Sequence, residues 1–325
     1  KFKTFNKQEH DSDVPPRKIQ RIVEDKNGYI WVKTIDRKLY VFNKVTECFH
    51  AVYDDMKNYS ENIQVIKLQN TAEGDVLLLT KDKNLLLAGV DEKGQVTIKI
   101  LFDSRDEINK HDYTLKHHVL CETEEYISWI GTDYKVAAVH KGSELASRPA
   151  DFITSKINSG DKDSFTSFFE DGRKVWVGDR AGIFYSIDVR TGLVNRYVLS
   201  EIKGAISNLL VTPAGYVYLS VAGQGTYEYD LAERRLQKIN TEMNDAMVTH
   251  AFIDQYDKIW FHENEKALIY YDPLNHTAKR FPFTMFGKIT TLYSEDAGER
   301  GLFFLSPAGE AWLFDREHAE MVYIN

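Results

Sequence analysis

Short apolar runs alternate with short polar breaks from one end of this chain to the other. Runs of this kind, rich in aromatic and β-branched residues and bounded by Gly, Asn and Asp, predict β-strands. The clearest is Tyr29-Ile30-Trp31-Val32, which follows Asp25-Lys26-Asn27-Gly28. Gly28 suits the positive φ that a tight hairpin turn requires. The Trp31 position recurs as Leu77, Trp129, Trp176, Tyr218, Trp260 and Phe304, at intervals of 42 to 52 residues. Four of the five tryptophans fall on this column, which chance does not readily produce, so the period is a structural repeat.

Each copy reads as a set of short strands. A first apolar strand is predicted at 19–23, 63–68, 118–121, 165–169, 206–211, 248–253 and 289–293. A polar turn follows, then the tryptophan-column strand, then a third strand that often closes on an aromatic and Asp, as in Tyr229-Asp230 and Tyr271-Asp272. Six copies end on a fourth, more alternating strand, at 48–52, 96–101, 194–198, 236–239, 279–281 and 321–324. No capped helical run is evident. Four antiparallel strands per repeat of this length is the signature of a propeller blade. The expected fold is all-β, a single seven-bladed β-propeller over residues 1–325. Its blades fall near 18–52, 62–101, 117–151, 165–199, 205–240, 247–282 and 288–325, and residues 1–5 form an extra outer strand. The first two strands of each blade are expected to be apolar on both faces and buried between blades, with the fourth at the rim. The column itself, Trp31, Trp129, Trp176, Tyr218 and Trp260 with their substitutes, is expected to pack rather than to bind.

Composition narrows the function classes. The 325 residues are 43% hydrophobic, enough for a large core. A net charge of −8 argues against nucleic acid as a partner. No stretch is long and apolar enough to span a membrane. The chain starts at Lys1 with neither an initiator Met nor an apolar signal region, so it is expected to be a mature or excised segment of a longer chain. Cys48 and Cys121 both lie in strand-like runs and are expected to be buried free thiols. Neither a metal site nor a cofactor is expected, because the chain lacks Cys/His ligand spacing, a Gly-rich phosphate loop and a nucleophile elbow.

In propellers, the loops joining strand two to strand three share one face with the connections between blades. Sugars are held by stacked aromatics and polar side chains, and acidic sugars by Arg. Arg37, Tyr134, Arg180 and Gln224 are therefore the candidate ligand-binding residues, with His262 at the exit of a column strand next to them. The pair His117-His118 reads as loop histidines. The long connections 103–116 and 143–164 suit lids or interface elements.

The run Glu24-Asp25-Lys26-Asn27-Gly28-Tyr29-Ile30-Trp31-Val32-Lys33-Thr34, followed by Leu39-Tyr40-Val41-Phe42-Asn43, resembles the two-component regulator propeller repeat. So do Asp171-Gly172-Arg173-Lys174-Val175-Trp176-Val177-Gly178-Asp179 and Ile259-Trp260 with Tyr271-Asp272. The second, third and seventh copies are eroded, with Leu77 in place of Trp and no turn Gly before Trp129. The resemblance implies the periplasmic sensor region of a Bacteroides-type hybrid two-component histidine kinase. It implies an oligosaccharide ligand from polysaccharide breakdown, contacts with an adjacent propeller and linker domain of the parent chain, and a homodimer. Membrane attachment would come only through the parent chain, and this segment would not itself be an enzyme. Two alternatives stand beside it. Trp260-Phe261-His262-Glu263 resembles the strand exit of streptogramin-type propeller lyases, which suggests a lyase or glycosidase, and a protein-binding scaffold fits the same architecture.

Overall fold

The computed structural model describes residues 19–106, 115–131, 135–142, 149–151, 165–239, 248–263, 266–286, 293–296, 302–305 and 310–324. The expected outer strand at 1–5 lies outside them, as do Tyr134 and most of the two long connections. Seven four-stranded antiparallel sheets make up the described chain, each with its strands in sequence order, and the fold is a seven-bladed β-propeller. Blade one is Ile19–Glu24, Ile30–Thr34, Leu39–Asn43 and Cys48–Ala51; blade two is Val65–Asn70, Val76–Thr80, Leu85–Val90 and Val96–Phe102. Blade three is Leu115–Glu122, Tyr126–Gly131, Val136–His140 and Ala150–Asp151. Blade four is Phe165–Glu170, Lys174–Asp179, Ile183–Asp188 and Leu193–Val198; blade five is Ile206–Val211, Tyr216–Val221, Gly225–Asp230 and Arg235–Lys238. Blade six is Val248–Ile253, Ile259–Glu263, Ala267–Asp272 and Thr277–Pro282, and blade seven is Tyr293–Asp296, Leu302–Leu305, Ala311–Asp315 and Glu320–Ile324. Two compact units divide the chain: Lys1–Lys162 with Asp188–Leu193, and Asp163–Ile187 with Val194–Asn325.

Burial follows the expected layering in part. The second strands are buried, as in Val76–Thr80, and fourth strands such as Leu193–Val198 are largely exposed. The third strand is buried as well, as in Gly225–Asp230, and the first varies, from Ile206–Val211 with four of six positions buried to Ile19–Glu24 with only Val23 buried. Three smaller differences follow from short length. Blade three closes with a fourth strand of two residues, Ala150–Asp151, too brief to show alternation. One helical turn, Tyr53–Met56, and one 3₁₀ turn, Phe283–Phe286, interrupt the strands; a single turn shows no helical period, and no side chain caps the first. Cys48 is exposed and only Cys121 is buried, because Cys48 lies on the outer edge strand of its blade.

The column residues sit at the centre of the packing. Trp31, Leu77, Trp129, Trp260 and Phe304 are 0% exposed, with Tyr218 at 1% and Trp176 at 2%. Five of them pack toward the next sheet in their unit, while Trp129 meets Phe102 of blade two and Phe304 meets Trp260 of blade six. In the first unit, Trp31 joins Leu68, Val76 and Leu78 of blade two, and Leu77 joins Leu120 and Ile127 of blade three. In the second unit, Trp176 packs with blade five, Tyr218 with Ile259 and Phe261 of blade six, and Trp260 with Leu302, Phe304 and Phe314 of blade seven. The rings of Phe314 and Phe304 stand 4.7 and 5.2 Å from the Trp260 ring, a distance at which edge-on aromatic contact adds to burial.

A carboxylate fixes three of these tryptophans. Asp25 Oδ1 accepts the backbone N–H groups of Asn27 and Tyr29, both at 3.0 Å, and Oδ2 accepts the indole N–H of Trp31 at 2.8 Å. Asp171 holds the amides of Arg173 and Lys174 and the indole of Trp176 at 2.8 Å. Asp254 holds those of Tyr256 and Lys258 and the indole of Trp260 at 3.2 Å. In blades two and five, which lack the tryptophan, threonine replaces the carboxylate, as it also does at Thr123 before Trp129. Thr71 precedes Leu77 and Thr212 precedes Tyr218, and each uses only its hydroxyl, on the amides of Asp75 and Tyr216. The first hairpin turn of blade one also docks on blade two, through Lys26 N–H to the Gly74 carbonyl at 2.7 Å and Lys26 Nζ to Asp75 at 2.8 Å. Gly74 has φ +79°, and a Cβ there would meet Lys26 Cβ at 2.9 Å.

Asp25 is 5% exposed, so Asp25→Ala strands a buried indole N–H and two turn amides together. The expected loss is about 2–4 kcal/mol. Asp171 is exposed, and Asp171→Ala should cost less, about 1 kcal/mol. Chemical denaturation of the two variants beside the parent chain measures both.

Candidate functional site

The loops between second and third strands are built alike in blades one and two. Thr34 Oγ1 donates to Asp36 Oδ1 at 2.5 Å, Thr34 N–H donates to the Lys38 carbonyl at 3.0 Å, and Arg37 N–H returns to the Thr34 carbonyl at 2.9 Å. Thr80, Asp82, Lys83 and Asn84 repeat every one of these bonds. Both loops place a cation in the left-handed region, Arg37 at φ 67° and Lys83 at φ 72°. A non-glycine residue there costs of order 1 kcal/mol, so each loop holds its cation against strain. In blade four, Asp179 Oδ1 accepts the amides of Ala181 and Ile183, Gly182 takes the positive φ, and Arg180 is exposed beside them.

The sequence candidates thus meet different fates. Arg37 borders a cavity of about 160 Å³ in the first unit, with Tyr40, Tyr53 and Met56 among its walls. That volume lies below the usual 300–1,000 Å³ of a ligand pocket. Arg180 is exposed on its loop in the second unit. Gln224 is committed to structure: its Oε1 accepts the amides of Lys203 and Gly204 at 2.7 and 2.9 Å, and its Nε2 donates to the Glu201 carbonyl at 3.0 Å. His262 is half-buried opposite His250 in the pairing of blade six's first two strands. Its ring meets Phe283 edge-on at 5.1 Å, and its buried Nε2 has no hydrogen-bond partner among the described residues. Tyr134 lies outside the described residues, and the side chains of His117 and His118 do too.

A larger cavity, about 680 Å³, opens elsewhere in the second unit. Its walls come from the first turns of blades five and six and from the third-to-fourth turn of blade six, not from the loops that carry Arg180 and Gln224. Tyr216, Tyr218 and Tyr256 supply aromatic surface, and the Arg316 guanidinium lies over the Tyr256 ring at 4.5 Å. Glu228 is 7% exposed and accepts the Tyr218 hydroxyl at 2.7 Å. Burial, reinforced by that hydrogen bond, pushes the Tyr218 phenol far above its ordinary range, which keeps it a donor. Tyr271 beneath is pushed up to about 12, first by burial and then by the Glu228 and Asp272 charges.

Lys258 also lines this cavity and pairs with Asp272 at 2.7 Å. Burial raises the Asp272 carboxyl, but the hydrogen bonds from Lys258, Asn275 and the Leu274 amide outweigh it and hold the group ionised below the usual range. Among the lining charges, Glu228 and Asp257 balance Arg235 and Lys258. Aromatic faces, balanced charge and a mix of donors and acceptors suit a neutral polyhydroxylated ligand. Sequence reasoning missed this site because Tyr218 reads as a packing residue of the column, Glu228 as part of a strand, and Tyr256 and Leu274 as turn residues. The available signals were Tyr256 inside the turn of Gln255-Tyr256-Asp257, which is 49% exposed, and Leu274, which is 84% exposed. Among the described residues, no cluster of three or more His, Cys, Asp or Glu is placed to hold a metal.

No family model matches this chain, and neither does any curated protein. Solved structures with the same fold are many. The extracellular domain of the B. thetaiotaomicron system BT4673 aligns with a TM-score of 0.51 at 13% identity, over 94% of this chain and 49% of that one. Virginiamycin B lyase from Staphylococcus aureus aligns with a TM-score of 0.55 at 11% identity, over 93% and 94% of the two chains. The Dos1 propeller gives 0.60 at 14% identity, over 90% and 76%. This chain therefore spans about half the length of the BT4673 domain and nearly all of the lyase. At such identities the likeness establishes the propeller fold.

Proposed function

We propose that this chain is a ligand-sensing propeller from the periplasmic region of a hybrid two-component sensor, and that it takes an oligosaccharide in the cavity of blades five and six. The observation that carries the reading is the cavity itself: three tyrosines, a buried carboxylate and a balanced set of cations around 680 Å³. The fold likeness to an extracellular domain about twice this chain's length supports it, since such a domain has room for a second propeller. So does the repeat resemblance in blades one, four and six. No helix among the described residues is long and apolar enough to cross a membrane, so any anchor would belong to the parent chain. Signalling would then depend on the ligand favouring one arrangement of this propeller against its neighbour, linker or dimer mate.

One observation favours a second reading, a lyase. The likeness to virginiamycin B lyase comes with a histidine pair, His250 and His262, in one blade. Burial holds both imidazoles below their ordinary value of 6.5, and the His250 charge adds to the effect on His262. Neutral imidazoles with an unpartnered Nε2 are what a general base requires.

Calorimetry against a panel of neutral oligosaccharides tests the sensor reading. Tyr256→Ala and Glu228→Gln should each weaken the best ligand about tenfold or more. Failure of every oligosaccharide to bind the intact chain would contradict the reading, and turnover of a ligand that His262→Ala abolishes would replace it with the lyase.

The histidines make a pH prediction of their own. As pH falls through 6.5 the unfolded chain takes up protons before these buried rings do, so stability present above that value is lost below it. The melting temperature should fall between about pH 7 and pH 5, and His262→Phe should flatten that slope. Proton NMR of the two rings should give midpoints below 6.5.

A further inference from the structure

Four positive charges at the meeting of blades one and two, Arg21, Lys33, Arg37 and Lys67, have no described negative partner, unlike Lys26, which pairs with Asp75. Lys33 is 5% exposed, and its ammonium donates only to neutral oxygens, Gln20 Oε1 at 2.6 Å and the Ile66 carbonyl at 2.9 Å. Gln20 lies on the first strand of blade one and Ile66 on the first strand of blade two, so this one ammonium ties the two strands together. Directly across the hairpin from Lys33 stands Arg21. Lys67 follows Ile66, and the Arg37 carbonyl accepts the amide of Val65 at 2.9 Å. Four cations are thereby held around one hydrogen-bonded node. None of them forms an ion pair with a described carboxylate, and Asp36, adjacent to Arg37 in the chain, is taken by Thr34 and Lys38.

This arrangement costs stability. A buried ammonium without a counter-charge is unfavourable, and like charges on facing strands repel. Burial pushes both Lys33 and Lys67 below the usual lysine range; Arg37 adds to the first, and Arg21 to the second against an opposing influence from Cys121. The chain as a whole has 49 acidic residues against 41 basic ones, so the lack of a counter-charge among the described residues is not a consequence of composition. A ligand that brings negative charge removes the cost, and preorganised cations are how proteins bind such ligands.

We propose that Arg21, Lys33, Arg37 and Lys67 form an oxyanion site that takes a small ligand bearing a carboxylate, sulfate or phosphate group. Exposed Arg21 and Arg37 and half-buried Lys67 make the direct contacts, while Lys33 supplies field from beneath. The proposed ligand is a small one because Lys33 is only 5% exposed. The site belongs to the first unit and shares no residue with the balanced cavity of blades five and six, so failure of the neutral-oligosaccharide test leaves it intact.

Thermal melting and calorimetry of the full chain with sulfate, phosphate and D-glucuronate test it, against D-glucose and sodium chloride at matched ionic strength. The expected result is saturable stabilisation by at least one anion and none by glucose. Protection by glucuronate alone identifies a uronic acid as the source of the charge, and protection by the inorganic ions identifies a free oxyanion. Arg21→Gln and Lys67→Gln should each weaken that binding tenfold or more, while Lys93→Gln, an exposed cation on another turn, leaves it unchanged. Lys33→Met should melt at or above the parent temperature without ligand and lose the anion shift. Equal shifts with matched sodium chloride, or full binding retained in Arg21→Gln and Lys67→Gln, would overturn the proposal. A destabilised Lys33→Met in a chain that no anion protects would assign the cluster to structure instead.

Discussion

Three blades of this protein depend on how one carboxylate divides its two oxygens. In blades one, four and six the aspartate opening the first hairpin turn gives one oxygen to two turn amides and the other to an indole N–H. The turn alone is a common device. Joined to the indole, it sets the angle of a large flat side chain relative to its strand. In blades one and six the indole is then fully out of water, where an unpaired N–H would be costly. The bond satisfies that N–H at Trp31 and Trp260, whereas Trp129, equally buried, follows Thr123, so burial of the column tryptophan does not require the carboxylate in every blade. Where the bond is made, the indole packs onto the following blade of its unit, so a local turn decision becomes a contact between sheets. Blades two and five show the converse. There threonine stands at the turn and the column holds Leu77 or Tyr218, the latter with its hydroxyl satisfied by Glu228; blade three also has threonine, Thr123, yet keeps Trp129.

This division of labour leaves the other loops free to vary. The second-to-third loops of blades one and two keep a threonine–aspartate frame and hold Arg37 and Lys83 in the left-handed region. The cavity of blades five and six is made from turns whose backbone is already fixed by Thr212, Asp254 and Asp272, so its tyrosines and Glu228 stand on rigid supports. Charge separates the two regions of interest. Lining charges in the second unit sum to neutral, which suits a hydroxylated ligand; those gathered around Lys33 in the first unit are all positive, which suits an anionic one.

Much of the fold was legible because tryptophan is rare and its column repeats; four tryptophans in one register outweigh any propensity argument. The Asp-x-x-Gly-x-x-Trp spacing at Asp25, Gly28 and Trp31 was visible too, although spacing alone does not reveal that the carboxylate reaches the indole. Strand burial was read correctly for 206–211 and misjudged for 19–23, where apolar content did not reveal that only Val23 is covered. The site was far less legible. Tyr216, Tyr256 and Leu274 lie in three turns brought together only by the sheets, and each looks like an ordinary turn residue in sequence. Gln224 carried the opposite error, because a loop glutamine looks available until its amide is seen holding Lys203, Gly204 and Glu201. The cation cluster escaped because Arg21, Lys33, Arg37 and Lys67 are separated by pairing between blades, and the net charge of −8 conceals a local positive excess.

The dependence of the blades on the aspartate–indole bond is open to a direct energetic measurement. A double-mutant cycle of Asp25→Ala and Trp31→Phe, followed by chemical denaturation, isolates the coupling between the two side chains. If the carboxylate positions the indole, the coupling energy should lie at about 1.5–3 kcal/mol, the upper part of the range for contacting residues. A coupling energy within about 0.5 kcal/mol of zero would contradict the account, leaving the turn and the tryptophan as independent features that merely share a strand.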